Sequence, residues 1–531
     1  MTQSIRLAAG MLRKAVPSSA RLWPRGVWVA GLAAVALAAP SVARADAVLT
    51  WNNELLHAIR QTSALLTGSP PEVAREIALV GTAMFDAVNA ATGLQYQPYA
   101  YAGGAMSGAS AEAAALSAGY TAMVSIFSNP VWTTPLGVYT GDGGAITTLL
   151  SHINAVYGTA LTTLGSGAAV TTGLALGQAA ANAVIANRAT DHSLAAIQNG
   201  LFTQAPPGSG TVPGVYIPPT ARPEMLPIWG GTVTPFALGS PAFDSLVAAV
   251  PGPPALGSAA YASALLHTQC AGSANALSAL VASACGAAGF AAGTPVQKTA
   301  ALFWNDPGGT IQPPGHWLQI ADTVMVSQGL DLLQEARLSA LLGMAMNDAG
   351  TLAWRVKYQE NLWRPITAIR NCGPAADGTV TWNATFTTCD PTWQSQIATP
   401  PHPDYLAGHP AFSGAAATVL AAFFGTDDIA FCSTSDAYAN GSLGAVPTIT
   451  LCFNSFSEAS EGPLGSEFSR VAGGIHTPFA VADALTVGNA IGRMVAADSL
   501  QLVPEPASLA LLGAGMIGLG LLRRGKRAPL R

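Results

Sequence analysis

Lys357-Tyr-Gln-Glu-Asn-Leu-Trp-Arg364-Pro365 is the first of three segments that decide how this chain is read. The second is Pro403-Asp-Tyr-Leu-Ala407-Gly408-His409-Pro410, and the third is Ser469-Arg470-Val-Ala-Gly-Gly474-Ile-His476. Together they supply three cations and two imidazoles. A tetrahedral oxyanion needs several fixed positive donors around its oxygens and one nucleophilic or coordinating nitrogen on its axis, so the set points to phosphate or vanadate. If the chain is helical from Leu330 to Trp363, Lys357 and Arg364 face the same way, because seven residues drift only about 20° from a full repeat. Pro365 turns Arg364 out of helical geometry and ends the helix there. The alternative is a surface pattern, with Lys357 and Arg364 paired to Glu360, Glu335 or Asp348.

Gly408-His409 leads into an apolar, small-residue helix. Gly408 lets backbone approach a ligand, a helix start presents unpaired N–H groups, and His409 stands where an acid or base is wanted. A lone His in such a place is otherwise an ordinary satisfied polar residue. In the third segment a guanidinium and an imidazole lie six residues apart, just before Pro478, a good first helical residue. Each segment alone is weak; in this order they reinforce one another.

The rest of the chain reads as all-α. Half of its residues are hydrophobic, Ala and Leu recur at helical spacing, and alternating β-branched runs are few. Helices are expected over Pro71–Ala91, Ala111–Phe127, Val170–Arg188, Ser258–Leu266, Trp317–Ser327, Leu330–Leu362, Ala411–Phe424 and Pro478–Ala497. Residues 204–235 and 251–257, rich in Pro and Gly, read as ordered loops, and no internal repeat of fixed period is seen. Long Gly/Pro-rich connections favour helices bundled around a site over one regular up-down bundle.

The two ends read as addresses. Met1 to Arg25 is a basic leader, Val27 to Ala39 an apolar run, and Ala43-Arg44-Ala45 a small-x-small pattern, so residues 1–45 are expected to be a signal peptide cut after Ala45. A membrane-anchoring first helix is the competing reading, although the apolar run is short for a span. Residues 46–502 form the α-helical domain. Residues 503–531 hold Pro504-Glu505-Pro506, an apolar run from Ala507 to Leu522, and the basic cluster Arg523, Arg524, Lys526 and Arg527. That order resembles the PEP-CTERM sorting signal, which implies an exosortase-type processing enzyme, a transient C-terminal membrane segment, and a periplasmic, cell-surface or secreted protein of a Gram-negative bacterium. A plain C-terminal anchor is the alternative.

Charge and cysteines agree with export. Of 23 basic residues, six lie in residues 1–45 and five in 507–531, with no acid in either stretch, so the 12 that remain face all 28 acidic residues. On a body of formal charge about −16 no nucleic-acid footprint is expected. Six cysteines in an exported chain read as disulfides. Of fifteen connectivities, the neighbour pairing Cys270–Cys285, Cys372–Cys389 and Cys432–Cys452 is favoured, and the spacings lack a close Cys-x-x-Cys metal knuckle.

The ordered residues Lys357, Arg364, Pro365, Gly408, His409, Ser469, Arg470, Gly474 and His476 resemble the pattern of the vanadium-dependent haloperoxidase family, within the superfamily that includes type-2 phosphatidic acid phosphatases. Trp51-Asn52, Pro70-Pro71 with Phe85-Asp86-Ala87-Val88-Asn89, Trp229-Gly230, Phe303-Trp304, and Asn347-Asp348-Ala349 extend the likeness over residues 48–498. The resemblance implies a core of two four-helix bundles enclosing vanadate. Lys357, Arg364 and Arg470 would neutralise its oxygens, the Gly408 amide would donate to one, His476 Nε2 would ligate the metal, and His409 would be the acid/base. The implied reaction is oxidation of halide, or of a small organic substrate, by hydrogen peroxide. With phosphate in the same cage the reading becomes a phosphatase, His476 its nucleophile. A non-catalytic envelope or biofilm protein is the third reading, because Ala407 replaces the family's Ser before Gly-His and the chain carries a sorting tail; Pro410 also removes a backbone donor. The missing hydroxyl is worth about 1.5–3 kcal/mol toward an anion. Halide preference and homo-oligomerisation are left open.

Overall fold

Leu332–Glu360 is buried along most of its length, as a helix apolar on nearly every face must be. Asp331 caps it reciprocally: its carboxylate accepts from the Gln334 amide and the Gln334 side chain accepts from the Asp331 amide, both at 2.9 Å. The helix stops at Asn361, which turns left-handed (φ 47°) and donates its N–H to the Lys357 carbonyl. It therefore ends before the Leu362 boundary expected from sequence. Arg364 lies outside it, and Pro365 opens the next short helix, Pro365–Arg370.

The computed structural model describes residues 46–63, 69–129, 143–200, 212–217, 225–370 and 389–503. Ten helices build the frame and the site: α1 (Ala47–Ser63), α2 (Pro70–Ala91), α3 (Ala111–Phe127), α4 (Gly143–Leu164), α5 (Ala168–Arg188), α6 (Gln312–Gln328), α7 (Leu332–Glu360), α8 (Gly408–Phe424), α9 (Ser466–Ala472) and α10 (Pro478–Asp498). In the first bundle α2 packs on α3 and α5, with α1 and α4 against α3. In the second, α7 packs on α8 and α10, with α6 alongside. α2 and α7 join the bundles back to back in one continuous core. They approach so closely that a Cβ on Gly343 would lie 2.6 Å from Ala78 Cα, and one on Gly81 would lie 2.9 Å from the Ser339 backbone.

Although no repeat of fixed period runs along the chain, these two helices share a stretch of sequence. Ala74, Arg75, Ala78, Leu79, Gly81, Ala83, Met84, Asp86 and Ala87 of α2 match Ala336, Arg337, Ala340, Leu341, Gly343, Ala345, Met346, Asp348 and Ala349 of α7 at one constant offset. The matched carboxylates do the same work. Asp86 accepts from the Tyr99, Ala100 and Tyr101 amides, and Asp348 from the Phe236, Ala237 and Leu238 amides. Each clamps a loop to its bundle. Asp348 is thus not a partner of Lys357.

The all-α expectation holds, with small β additions: β1 (Phe431–Thr434) pairs antiparallel with β4 (Thr450–Phe453), and β2 (Tyr438–Ala439) with β3 (Ala445–Val446). Disulfides Cys270–Cys285 and Cys432–Cys452 are formed. Cys389 is also disulfide-bonded, while Cys372 lies outside the described residues, as does the apolar tail from Ala507. Residues 251–257 are a loop as expected. Within 204–235, residues 204–211 and 218–224 are not described, and Trp229–Thr232 forms one helical turn.

Candidate oxyanion cage

Each cage residue is placed by a helix end. Lys357 lies in the last turn of α7, fully buried, with Nζ donating to the Pro403 carbonyl at 2.7 Å. Arg364, 1 % exposed, follows the left-handed turn at Asn361; its Nε donates to the His402 carbonyl at 2.6 Å and its Nη1 to the Ile475 carbonyl at 2.7 Å. Arg470 sits in α9, fully buried, donating to Ser469 Oγ and the Ala301 carbonyl. Behind it Gly474, at φ 76°, packs where a Cβ would lie 2.4 Å from the Gly272 carbonyl, so the turn that delivers His476 requires glycine. Pro478 then opens α10.

His476 is held in one tautomer. Asp404 Oδ1 lies 2.6 Å from Nδ1, and Thr477 Oγ1 donates to Asp404 Oδ2 at 2.8 Å. A carboxylate only accepts, so Nδ1 carries the proton and Nε2 presents its lone pair. Nε2 faces Arg364 Nη1 at 2.9 Å. Burial first, then the Arg364 and Lys357 charges, hold the imidazole's pKa well below its usual range, so the ring is neutral. Burial pushes Asp404 up to about 6 against the lowering pull of Arg364; at pH 7 it is mostly ionised.

The charge balance is the informative feature. Lys357, Arg364 and Arg470 are buried, yet among the described residues no carboxylate lies within ion-pairing distance of any of them. Their acceptors are carbonyls, a hydroxyl and imidazoles. Desolvation lowers Lys357 well below its ordinary value and both arginines to about 10, with Asp404 and Asp306 compensating only from a distance. Buried cations without counter-charge are costly, and an oxyanion between them removes that cost.

The start of α8 faces the same space. The helix begins at Gly408, three residues earlier than Ala411, so His409 is its second residue. Ala407 is the N-cap and makes no side-chain cap bond. A Cβ on Gly408 would press to 3.1 Å from Trp354 Cζ3. Pro410 is the third residue, where helical N–H groups have no intrahelical partner, so its missing donor leaves α8 intact. His409 is less buried than its neighbours. Its Nε2 lies 3.2 Å from Arg470 Nη1 and 3.3 Å from the Asn305 carbonyl, and burial followed by the Arg470 charge lowers its pKa well below the usual value.

The structure thus gathers Lys357, Arg364, Gly408, His409, Arg470 and His476, and adds residues the sequence did not single out. Asp404 stood inside a quoted segment, but nothing in its spacing showed that it would reach His476. His402 accepts from Arg364 Nη2 at 3.0 Å. Asp306 is pinned by His316 at 3.1 Å, itself 3.1 Å from Ser433 Oγ. A cavity of about 440 Å³, lined by Arg364, Tyr216, Arg370, Thr399 and Asn440, reaches the cage. A larger one of about 600 Å³ lies on the first bundle among Glu72, Glu76, Arg75 and Asp191, away from these residues.

A two-bundle helical protein with a cationic, imidazole-tipped cage defines a class. Residues 337–504 match the family described as VCPO second helical-bundle domain, and residues 502–526 match the PEP-CTERM protein-sorting motif. Vanadium chloroperoxidase of Curvularia inaequalis is 30% identical over 133 residues, which cover 23% of this chain and 22% of that protein; the match spans about a fifth of the curated relative. Among solved structures, a bacterial vanadium-dependent iodoperoxidase aligns at a TM-score of 0.61 with 21% identity, covering 86% of this chain and 98% of that one. An apo-type bacterial vanadium-dependent chloroperoxidase aligns at 0.55 with 14% identity, covering 81% and 94%. The fold is that of the vanadium haloperoxidases, and residues 337–504 match the model of the VCPO second helical-bundle domain.

Proposed function

We propose that the protein is an exported, vanadate-dependent haloperoxidase-like enzyme that oxidises halide with hydrogen peroxide. Lys357, Arg364, the Gly408 amide and Arg470 would hold vanadate, and His476 Nε2 would be its protein ligand. The observation that carries this reading is the set of three buried cations without an ion-pair partner, grouped around an imidazole whose unprotonated nitrogen faces them. That donor set fits an oxyanion that an imidazole nitrogen can also ligate. The printed names of the relatives, chloroperoxidase and iodoperoxidase, support the peroxidase reading.

Bound vanadate supplies a Lewis-acidic centre that activates peroxide without changing oxidation state. Everything else falls to the chain. Asp404 keeps the His476 proton on Nδ1 and leaves Nε2 able to ligate once Arg364 donates to the anion instead. His409 serves both directions of proton transfer: unprotonated Nε2 accepts from Arg470, and protonated Nε2 donates to the Asn305 carbonyl. Cleavage after Ala45 and exosortase-type processing of residues 503–531 complete the export reading.

The exported form, with and without orthovanadate, is assayed for monochlorodimedone halogenation and p-nitrophenyl phosphate hydrolysis in parallel. Halogenation that depends on vanadate is expected. Phosphate-ester hydrolysis without halogenation overturns the reading in favour of a phosphatase that uses His476 as nucleophile. Neither activity, together with no oxyanion binding by calorimetry, leaves the non-catalytic envelope protein.

A further inference from the structure

Four carboxylates meet where α1 begins, far in sequence from the cage. Asp46 Oδ1 accepts from the Val48 and Leu49 amides at 3.0 and 3.1 Å, and Glu112 Oε1 accepts from the Ala47 amide at 2.7 Å. Glu335, in the first turn of α7, reaches the Asp46 carboxyl. Asp322 of α6 stands beside them, its Oδ1 accepting from Asn52 Nδ2 at 2.7 Å. Glu335 and Asp322 are only 3% and 9% exposed, and Glu335 Oε2 and Asp322 Oδ2 have no hydrogen-bond partner. Among the described residues no Lys or Arg pairs with Asp46, Asp322 or Glu335. Among the described residues, Glu335 Oε2 and Asp322 Oδ2 are thus buried acceptors whose carboxylates have no paired cation.

We propose that this acidic pocket is the docking site for a primary ammonium, and that the ammonium is the mature chain's own amino terminus at Asp46. The inference rests on cleavage after Ala45. Hydrolysis of the Ala45–Asp46 amide releases Ala45 as a carboxylate and leaves the Asp46 nitrogen as an ammonium, one residue from the Ala47 amide that Glu112 already holds. The new charge arises on the residue whose side chain Glu335 reaches, next to the amide that Glu112 holds. Before cleavage the acids stay partly neutral: burial, then the neighbouring carboxylates, push Glu335 up to about 9, and burial pushes Asp322 up to about 8. An ammonium takes the place of a proton between them. Because α1, α6 and α7 all contribute, docking ties the amino terminus across both bundles and tightens the fold only after export.

The test compares the exported chain beginning at Asp46 with the same chain carrying one extra Ala in front, each with and without Glu335→Gln. The Asp46 start is expected to melt about 2–4 °C higher, and Glu335→Gln to erase that difference. Its α-amine is expected to react with cyanate at neutral pH about tenfold more slowly than that of the Ala-extended chain, as a rise of one pKa unit requires. The amine measurement needs no destabilising variant. Equal melting and equal amine reactivity overturn the docking. Host-derived material whose intact mass gives another first residue overturns the premise instead, and that failure is distinct because the recombinant pair still reports on the pocket.

Discussion

α2 and α7 share one stretch of sequence, and what lies beyond it differs: α2 buries two acids near its start, whereas α7 buries a lysine at its end. Both carry the glycine at the crossing and the loop-clamping aspartate. Beyond that shared stretch they part. α2 buries Glu72 and Glu76, and the arginines near them, Arg75 and Arg188, are both paired with Asp191. α7 runs on to Lys357, and the segments after it bring Arg364 and Arg470 to the same place without a carboxylate partner. The helices that pack on them differ in the same sense. α3 starts at Ser110, whose hydroxyl accepts from the Ala113 amide, whereas α8 starts at Ala407, which makes no side-chain cap bond. The shared part packs the bundles together, and the proposed anion site stands at helix ends, where backbone donors are available.

The strongest way to break this comparison is to remove the imidazole unique to the second bundle. His476→Ala is expected to abolish vanadate-dependent activity and the protein ligand to the metal, while His409→Ala cuts turnover and leaves vanadate binding measurable by calorimetry. The two histidines should separate. Asp404→Asn, which no longer enforces the Nδ1 proton, is expected to weaken vanadate by about 10–100-fold. If Asp404→Asn and His409→Ala both leave affinity and turnover unchanged, the second bundle is no more a site than the first.

Much of this was legible in the sequence because it depends on residue type at fixed spacing. Lys357, Arg364, Gly408, His409, Arg470 and His476 were named from order alone. The Asp404–His476 contact was not, because it depends on how the chain folds between those residues. The helix ends were shifted by local backbone: Asn361 accepts a left-handed turn and stops α7 early, and Gly408 starts α8 early. α1 and α4 were missed because Asn52, Asn53 and the repeated Thr and Gly of α4 are weak helix formers, rescued here by packing. The α2–α7 duplication escaped because its copies lie far apart, with no tandem period to betray it.

A milder change makes the second bundle resemble the first. Ala407→Ser restores a hydroxyl at the N-cap position that Ser110 occupies in α3. One hydroxyl cannot serve the helix and an anion in full, so vanadate is expected to tighten by about tenfold, the low end of a charge-assisted bond, and the apo protein to gain ~1 kcal/mol. Calorimetry and thermal melts read the two effects separately. No gain in either means that the α8 amides do not face the cage.

The smallest expected effect is a difference in sign with pH. Burial pushes Glu76 up to about 8 from an ordinary 4.5, so between those values the folded state holds a proton that the unfolded chain has lost, and stability falls as pH rises through that window. Lys357 is shifted the other way, well below 10.5. Below that value, down to its lowered folded pKa, the unfolded chain holds the extra proton, so this group makes stability rise with pH. Denaturant melts across pH 5–9 are expected to flatten on the alkaline side in Glu76→Gln. Saturating phosphate or vanadate is expected to cancel the Lys357 contribution and leave that of Glu76 untouched, because only the second bundle's buried charge gains a partner when an oxyanion binds. A ligand that flattened both slopes equally would mean that the two buried charge sets are not independent, and the contrast between the bundles would fail.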